Sequence, residues 1–193
     1  MPDRMYDIHL RARLCKYLAT QGGTIKREVS IGNTRADIVR MTNQIEGYEI
    51  KGDTDPVHSK RFTMQIEEYS KICDRCWLVI SENGTKADAA MKVIPNWWGL
   101  ITICDQIVIR RMAQRNKLIS PRELAGEIWK VDLVRLLRSN EITFKGGLPT
   151  KRAITKIVAE HLHINTIRQE VIRQWTDHKS NMRPQDLGKR NIQ

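Results

Sequence analysis

The sequence predicts an α+β (α/β) protein, a mixed β-sheet core flanked by helices, with a basic helical region after it. Two observations carry this. The periodicity of apolar residues over residues 1–105 runs helix, three strands, helix, strand, helix, strand, whereas residues beyond Asp105 carry helical patterns only. The charge divides at the same place: residues 1–105 hold 15 Lys and Arg against 14 Asp and Glu, and residues 106–193 hold 18 against 8, so +10 of the total +11 lies in the second part.

Helical spacing of Tyr6, Leu10, Leu14, Tyr17 and Leu18 predicts a first helix that Gly22-Gly23 stops. Alternation from Ile25 to Ile31 predicts a strand with Ile25, Val29 and Ile31 on one face, ending at a Gly32-Asn33 turn. Arg35 to Met41 and Ile45 to Lys51 read as two strands joined by Thr42-Asn43-Gln44, short enough for a hairpin. Phe62, Ile66, Tyr69 and Cys73 predict a helix from about His58, and Cys76 to Ile80 a short buried strand. A short helix near Lys86 to Val93 and a strand at Leu100 to Cys104 complete the core. Ser120-Pro121-Arg122-Glu123 combines an N-cap, a proline at the first helical position and a capping-box acid, predicting one helix to about Arg138. Two more helices are expected, Thr150 to Leu162 and Thr166 to Trp175, then a loose basic tail from Lys179. The expected organisation is therefore a core at 1–105, a basic helical region at 106–178 and a tail at 179–193.

Hydrophobic residues make up 40% and charged residues 28% of the 193, a composition that buries a core and excludes a disordered chain. No apolar run approaches the roughly 18 residues that span a bilayer, and Met1-Pro2-Asp3-Arg4 has no apolar secretion core, so the expectation is a cytoplasmic protein away from membranes. Cys15, Cys73, Cys76 and Cys104 are then reduced thiols. Cys73-x-x-Cys76 reads as two buried thiols, against half a zinc site or a redox pair, because no second Cys/His pair stands at zinc-ribbon spacing.

The hairpin carries the chemistry. A three-residue loop at 42–44 pairs Met41 with Ile45, Val39 with Gly47 and, by the same constant index sum, Asp37 with Glu49. Opposed residues share a face, so the two carboxylates repel, and a shared Mg²⁺ (or Mn²⁺) relieves the repulsion. Lys51 lies on the same face one step along, and the carbonyl of Ile50 is a further candidate ligand while its side chain points to the opposite layer. The alternative is an ion-pair network on a solvated sheet face. Acidic residues are poor strand formers, and two facing each other in an apolar hairpin is the kind of local inconsistency that marks a site. In the following helix Gln65 and Tyr69 stand at i and i+4 on one face.

Asp37, then Glu49-Ile50-Lys51, then Gln65-x-x-x-Tyr69 resembles the PD-(D/E)XK nuclease superfamily in its RecB-like Q-x-x-x-Y variant, over about residues 5–105, and also a group of bacterial and phage proteins assigned to it. The resemblance implies a restriction-endonuclease-like core and a metal-dependent phosphodiester hydrolase. In it Asp37 and Glu49 would hold the ion, Lys51 would orient or deprotonate the attacking water, and Gln65 and Tyr69 would shape the site. It also implies an acid from the first helix, for which Asp7 is the candidate and Asp3 the alternative, and a histidine there, for which His9 stands against a structural reading. The proline of the family name is absent, with Arg35-Ala36 before Asp37, and Glu28 is either a supporting acid or merely exposed.

The basic second part attracts phosphate backbones, so the expected partner is nucleic acid, with DNA favoured, and a homodimer is compatible. Arg110, Arg111, Arg115 and Lys117 form its densest run, and Lys151, Arg152 and Lys156 open a later helix. Three functions stay open on sequence: an active nuclease, a nuclease fold that only binds DNA, and an interaction protein whose basic helices meet an acidic partner.

Overall fold

The computed structural model describes residues 7–81, 84–143 and 149–177, so the expected tail and Asp3 lie outside the described residues. The elements are α1 (Asp7–Thr20), β1 (Thr24–Ile31), β2 (Thr34–Met41), β3 (Ile45–Lys51), α2 (Lys60–Ile72), β4 (Arg75–Ser81), α3 (Gly84–Val93), β5 (Gly99–Ile103), β6 (Ile107–Arg111), α4 (Pro121–Gly126), α5 (Lys130–Ser139), α6 (Lys151–His161) and α7 (Ile164–Asp177). The strands form one mixed sheet in sequence order. β1, β2 and β3 are antiparallel neighbours, α2 and α3 cross over to the parallel strands β4 and β5, and β6 returns antiparallel. This is the mixed sheet flanked by helices that the periodicities predict. No helix among the described residues is long and apolar enough to cross a membrane.

Each face of the sheet buries a separate apolar layer. Leu10, Leu14 and Leu18 of α1 cover Ile38, Tyr48, Ile50, Trp77 and Val79 on one face. On the other, Phe62, Tyr69 and Ile72 of α2 share a core with Val39, Leu78 and Leu100, and that core continues into Leu124, Leu133, Leu137, Val158 and Trp175 of the later helices. At the turn end of the hairpin Arg40 stands opposite Glu46 and donates to it through Nε and Nη2, while Tyr48 Oη donates to Glu46 Oε2 (2.6 Å). β3 is buried along its whole length, as the central strand of a sheet covered on both faces should be.

Three expectations are corrected. Ile107–Arg111 is a strand, and the boundary expected at Asp105 falls inside the β5–β6 hairpin. Its pattern misleads because an edge strand keeps Val108, Ile109 and Arg110 exposed, so no alternation of buried and polar residues marks it. The helix expected from Pro121 to Arg138 is two, broken after Gly126. Ser120 caps α4 as predicted, its Oγ accepting from Glu123 N, but Glu127 turns out of the helix to accept from Gly32 N (3.0 Å), and Gln174 of α7 bonds both Glu127 O and Trp129 N. Tertiary partners thus take the backbone that a continuous helix would use.

The third correction concerns β1. Ile25 packs on the α1 side while Val29 and Ile31 join the α2 side, so the three do not share a face. The cause is Glu28, whose φ of 54° lies in the left-handed region that non-glycine residues rarely occupy. The β1–β2 register passes from Arg27↔Ile38 to Val29↔Ala36 and skips Glu28 and Asp37 between them.

The helical region is also fastened to the sheet by buried polar contacts. Arg168 of α7 pairs with Asp74 at the start of β4 (2.9 Å, both side chains at least 93% buried), and Asp74 Oδ2 accepts from Ile45 N. Asn116 Nδ2 donates to Ser70 O and Cys73 O at the end of α2. Removing one member of a buried ion pair costs about 3–5 kcal/mol, because the other charge is left without a partner in low dielectric. A chain ended after Asp105 would lose β6, the Arg168 partner of Asp74 and 12 of the 30 described buried residues of the α2-side core. It is expected to show no cooperative thermal transition by circular dichroism, and a sharp melt near that of the full chain would mean that residues 1–105 suffice.

Candidate active site

The β2–β3 ladder follows the predicted register through Met41↔Ile45, Val39↔Gly47 and Ile38↔Tyr48, then stops one residue short of Asp37 and Glu49. Asp37 and Glu49 are therefore not a ladder pair. They flank the point where the two strands part, and Ile50 N donates into that gap to Asp37 Oδ2 (2.7 Å). Ile50 itself points its side chain into the opposite layer, as predicted.

Glu49 is 2% exposed and is met from three sides. Lys51 Nζ donates to its Oε1 (2.6 Å) and to Gln65 Oε1 (3.3 Å), and Tyr69 Oη donates to its Oε2 (2.8 Å). The i, i+4 pair on α2 thus does converge on the hairpin. Gly47 makes this approach feasible. A Cβ there would lie 2.8 Å from Cys73 Sγ and 3.0 Å from the Tyr69 ring, so only a glycine lets α2 come this close. Lys51 is buried too, its ammonium 5.2 Å above the Phe62 ring.

Asp37 lies on the open side. Its side chain is 18% exposed, and its carboxyl is pushed up to about 7, by burial first and by the charge of Glu49 second, against the opposing pull of Ile50 N and Arg11. Burial likewise raises Glu49, with Lys51 the strongest opposing influence. Arg11, unremarked in the sequence, proves central here. Its Nη2 donates to both Asp7 Oδ2 and Asp37 Oδ1 (2.9 Å each) and its Nη1 to Glu28 Oε1. Asp7, the helix acid that the resemblance nominated, does reach the site, and so does Glu28 across from it. His9 is exposed on α1. The missed signal was Arg11 itself, four residues after Asp7 and hence on the same helix face. Lys86 of α3 is a second missed cation, donating to Gly52 O just beyond Lys51, with its pKa lowered by burial.

Among the described residues no group of three or more His, Cys, Asp or Glu side chains is gathered closely enough to hold a metal ion by themselves. Mg²⁺ does not require one: it typically binds through one or two carboxylates and keeps several waters. The donor set fits such an ion. Asp37 and Glu49 supply oxygen only, the charge of Glu49 disfavours that of Asp37, and Asp7 Oδ1 is buried without a partner. The thiols do not contribute. Cys73 and Cys76 are free and buried, as expected, and burial holds the Cys76 thiol well above its ordinary value.

The expected phosphate-binding residues stand on β6, on the loop that follows it and on α6. Arg110 and Arg111 lie on the edge strand β6, where Arg111 is spent on the carbonyls of Trp98 (2.7 Å) and Pro95 (2.9 Å). Arg115 borders a polar recess at the Asn43-Gln44 turn beside Arg168, five residues from Glu49 and so about 16 Å along an extended strand. Lys117 is exposed in the same loop. Lys151 donates to Gly126 O (2.8 Å), Arg152 shares a shallow groove between α4 and α6 with Arg122, and Lys156 stands 3.7 Å from Glu160.

The sequence profile described as Bacteriophage P4 protein cII matches residues 5–192. The chain belongs to that family. Comparison of this cII-family chain with curated proteins gives no match. Among solved structures, the "SPO1766 protein of unknown function from Silicibacter pomeroyi" is similar at 18% identity and a TM-score of 0.45, over 77% of this chain and 99% of that one. A likeness of that degree assigns no activity to the cII-family site.

The raised Asp37 carboxyl makes stability depend on pH. Between its ordinary value near 3.8 and about 7 the folded protein binds more protons than the unfolded chain, so stability falls as pH rises through that window and the penalty is complete above it. Its size is at most about 4 kcal/mol. In chelator, Asp37→Asn is expected to melt above the wild type at pH 8 and level with it near pH 4. Equal melting at both would mean Asp37 is not held in this unfavourable state.

Proposed function

We propose that this cII-family protein is a divalent-metal-dependent nuclease of the PD-(D/E)XK type, hydrolysing phosphodiester bonds of nucleic acid, with DNA the favoured substrate. The observation that carries the reading is the convergence of Asp37, Glu49, Lys51, Gln65 and Tyr69, from two strands and a helix, on one cluster open at the Asp37 side. Buried acids whose charge is disfavoured, next to a fixed cation, are the arrangement that active sites use and that packing alone does not require.

Asp37 and Glu49 would hold the Mg²⁺ or Mn²⁺ ion, which supplies Lewis acidity toward the phosphate and lowers the pKa of an attacking water. Tyr69 fixes the orientation of Glu49, and Ile50 N fixes that of Asp37. The Lys51 ammonium, held between Glu49 and Gln65, places positive charge beside the space a phosphate would enter and can orient the water. Arg115 and Lys117 in one loop, and Arg152 and Lys156 one turn apart on α6, are exposed and suit contacts with a long polyanion better than a single phosphate pocket.

One observation favours a second reading. Lys51 and Arg11 already partner Glu49 and Asp37, as they would in a nuclease fold that only binds nucleic acid. Cleavage decides between them. Plasmid and linear DNA should be cut in Mg²⁺ or Mn²⁺ by the wild type. Asp37→Asn, Glu49→Gln and Lys51→Met should each lower the rate by about 10² or more while the protein still melts cooperatively. Binding without cleavage in the wild type would favour the second reading, and full activity in all three variants would remove the chemistry from this cluster.

A further inference from the structure

Arg11 has no task in the chemistry above, yet three carboxylates from three elements converge on it: Asp7 from α1, Glu28 from β1 and Asp37 from β2. The field of these acids outweighs the burial that would otherwise disfavour the guanidinium charge. Glu28 reaches Arg11 from left-handed backbone (φ 54°), a conformation kept only where surrounding contacts enforce it. The cluster is nevertheless incompletely satisfied, because Arg11 Nε and Asp7 Oδ1 are both buried with no hydrogen-bond partner. A guanidinium that bridges separate carboxylates does the electrostatic work of a divalent ion with half its charge. Glu49, by contrast, has its cation in Lys51 and does not depend on Arg11.

We propose that Arg11 is a placeholder cation, holding Asp7, Glu28 and Asp37 together in the metal-free protein and competing with the divalent ion for Asp37. This rests on the nuclease reading of Asp37 and Glu49. Metal binding then has to break the Arg11–Asp37 pair, which weakens affinity for the ion and guards the site against occupancy by a weakly bound metal. The released guanidinium is a planar fork suited to two oxygens of one phosphate, so the competition also makes Arg11 available on the open side of the site.

The test is calorimetric titration of Mn²⁺ into the full-length chain after removal of metal by chelator, with circular dichroism to confirm folding. Arg11→Met should bind Mn²⁺ about tenfold or more tightly than the wild type, and Asp37→Asn should lose the site. Arg11→Lys keeps the charge but cannot fork across separate carboxylates. Its affinity should fall between those of the wild type and Arg11→Met, and it remains informative if Arg11→Met does not fold. If neither Arg11 variant binds more tightly while Asp37→Asn still abolishes binding, Arg11 merely positions the acids and the nuclease reading survives without the competition. If no protein in the set binds Mn²⁺, both are overturned.

Discussion

Glu49 is a carboxylate shut away from water in the middle of a six-stranded sheet, and the local structure is arranged around meeting its charge. An ion left unpartnered at such a position would cost several kcal/mol. Lys51 answers it from the same strand because side chains two residues apart share a face. Tyr69 and Gln65 answer it from α2, which can approach only because Gly47 has no Cβ. The N-cap at Ser59, whose Oγ accepts from Phe62 N (3.2 Å), starts α2 where its buried stripe of Phe62, Gln65, Tyr69 and Ile72 faces the sheet. One buried charge therefore ties together a strand, a helix and a glycine.

The strain gathers on the other side of the cluster. β1 and β2 lose their ladder at Glu28 and Asp37, β2 and β3 part just before Asp37, and α1 brings Asp7 and Arg11 to the same place. Backbone that could have paired is given up to hold side chains, which is typical of sites rather than of scaffolds. The exposure gradient agrees: Glu49 and Lys51 are buried, Asp37 is 18% exposed at its side chain, and Asp7 and Glu28 are 42% and 43% exposed. On the nuclease reading, a substrate would approach from the side of α1 and β1.

The net charge of +10 beyond Asp105 is a weaker guide to contact than its size suggests. Arg168 is consumed by Asp74, Arg111 by backbone carbonyls, and Arg135 and Arg173 by a network with Asp132 and Glu170. These cations pin the helices to one another and to the sheet. The exposed remainder still gives the surface its sign, and a field of that kind acts over the Debye length of about 8 Å at physiological salt without a built pocket.

Much of this was legible in the residues. The helical and strand periods, the hairpin register and the Ser120 cap are local, and local patterns determine them because each depends on neighbours a few positions away. The juxtaposition of Asp37, Glu49 and Lys51 followed from the same local rule, up to the point where the ladder ends. What only the tertiary structure decided involves long-range partners. Edge strand β6 has no buried alternation of its own and exists because β5 pairs with it. The break after Gly126 exists because Gly32 and Gln174 bind Glu127, and the left-handed turn at Glu28 accompanies its long-range pairing with Arg11. No local pattern singles out Arg11 on α1. Its partners on β1 and β2 lie 17 and 26 residues away, and only packing α1 against the sheet brings them within reach.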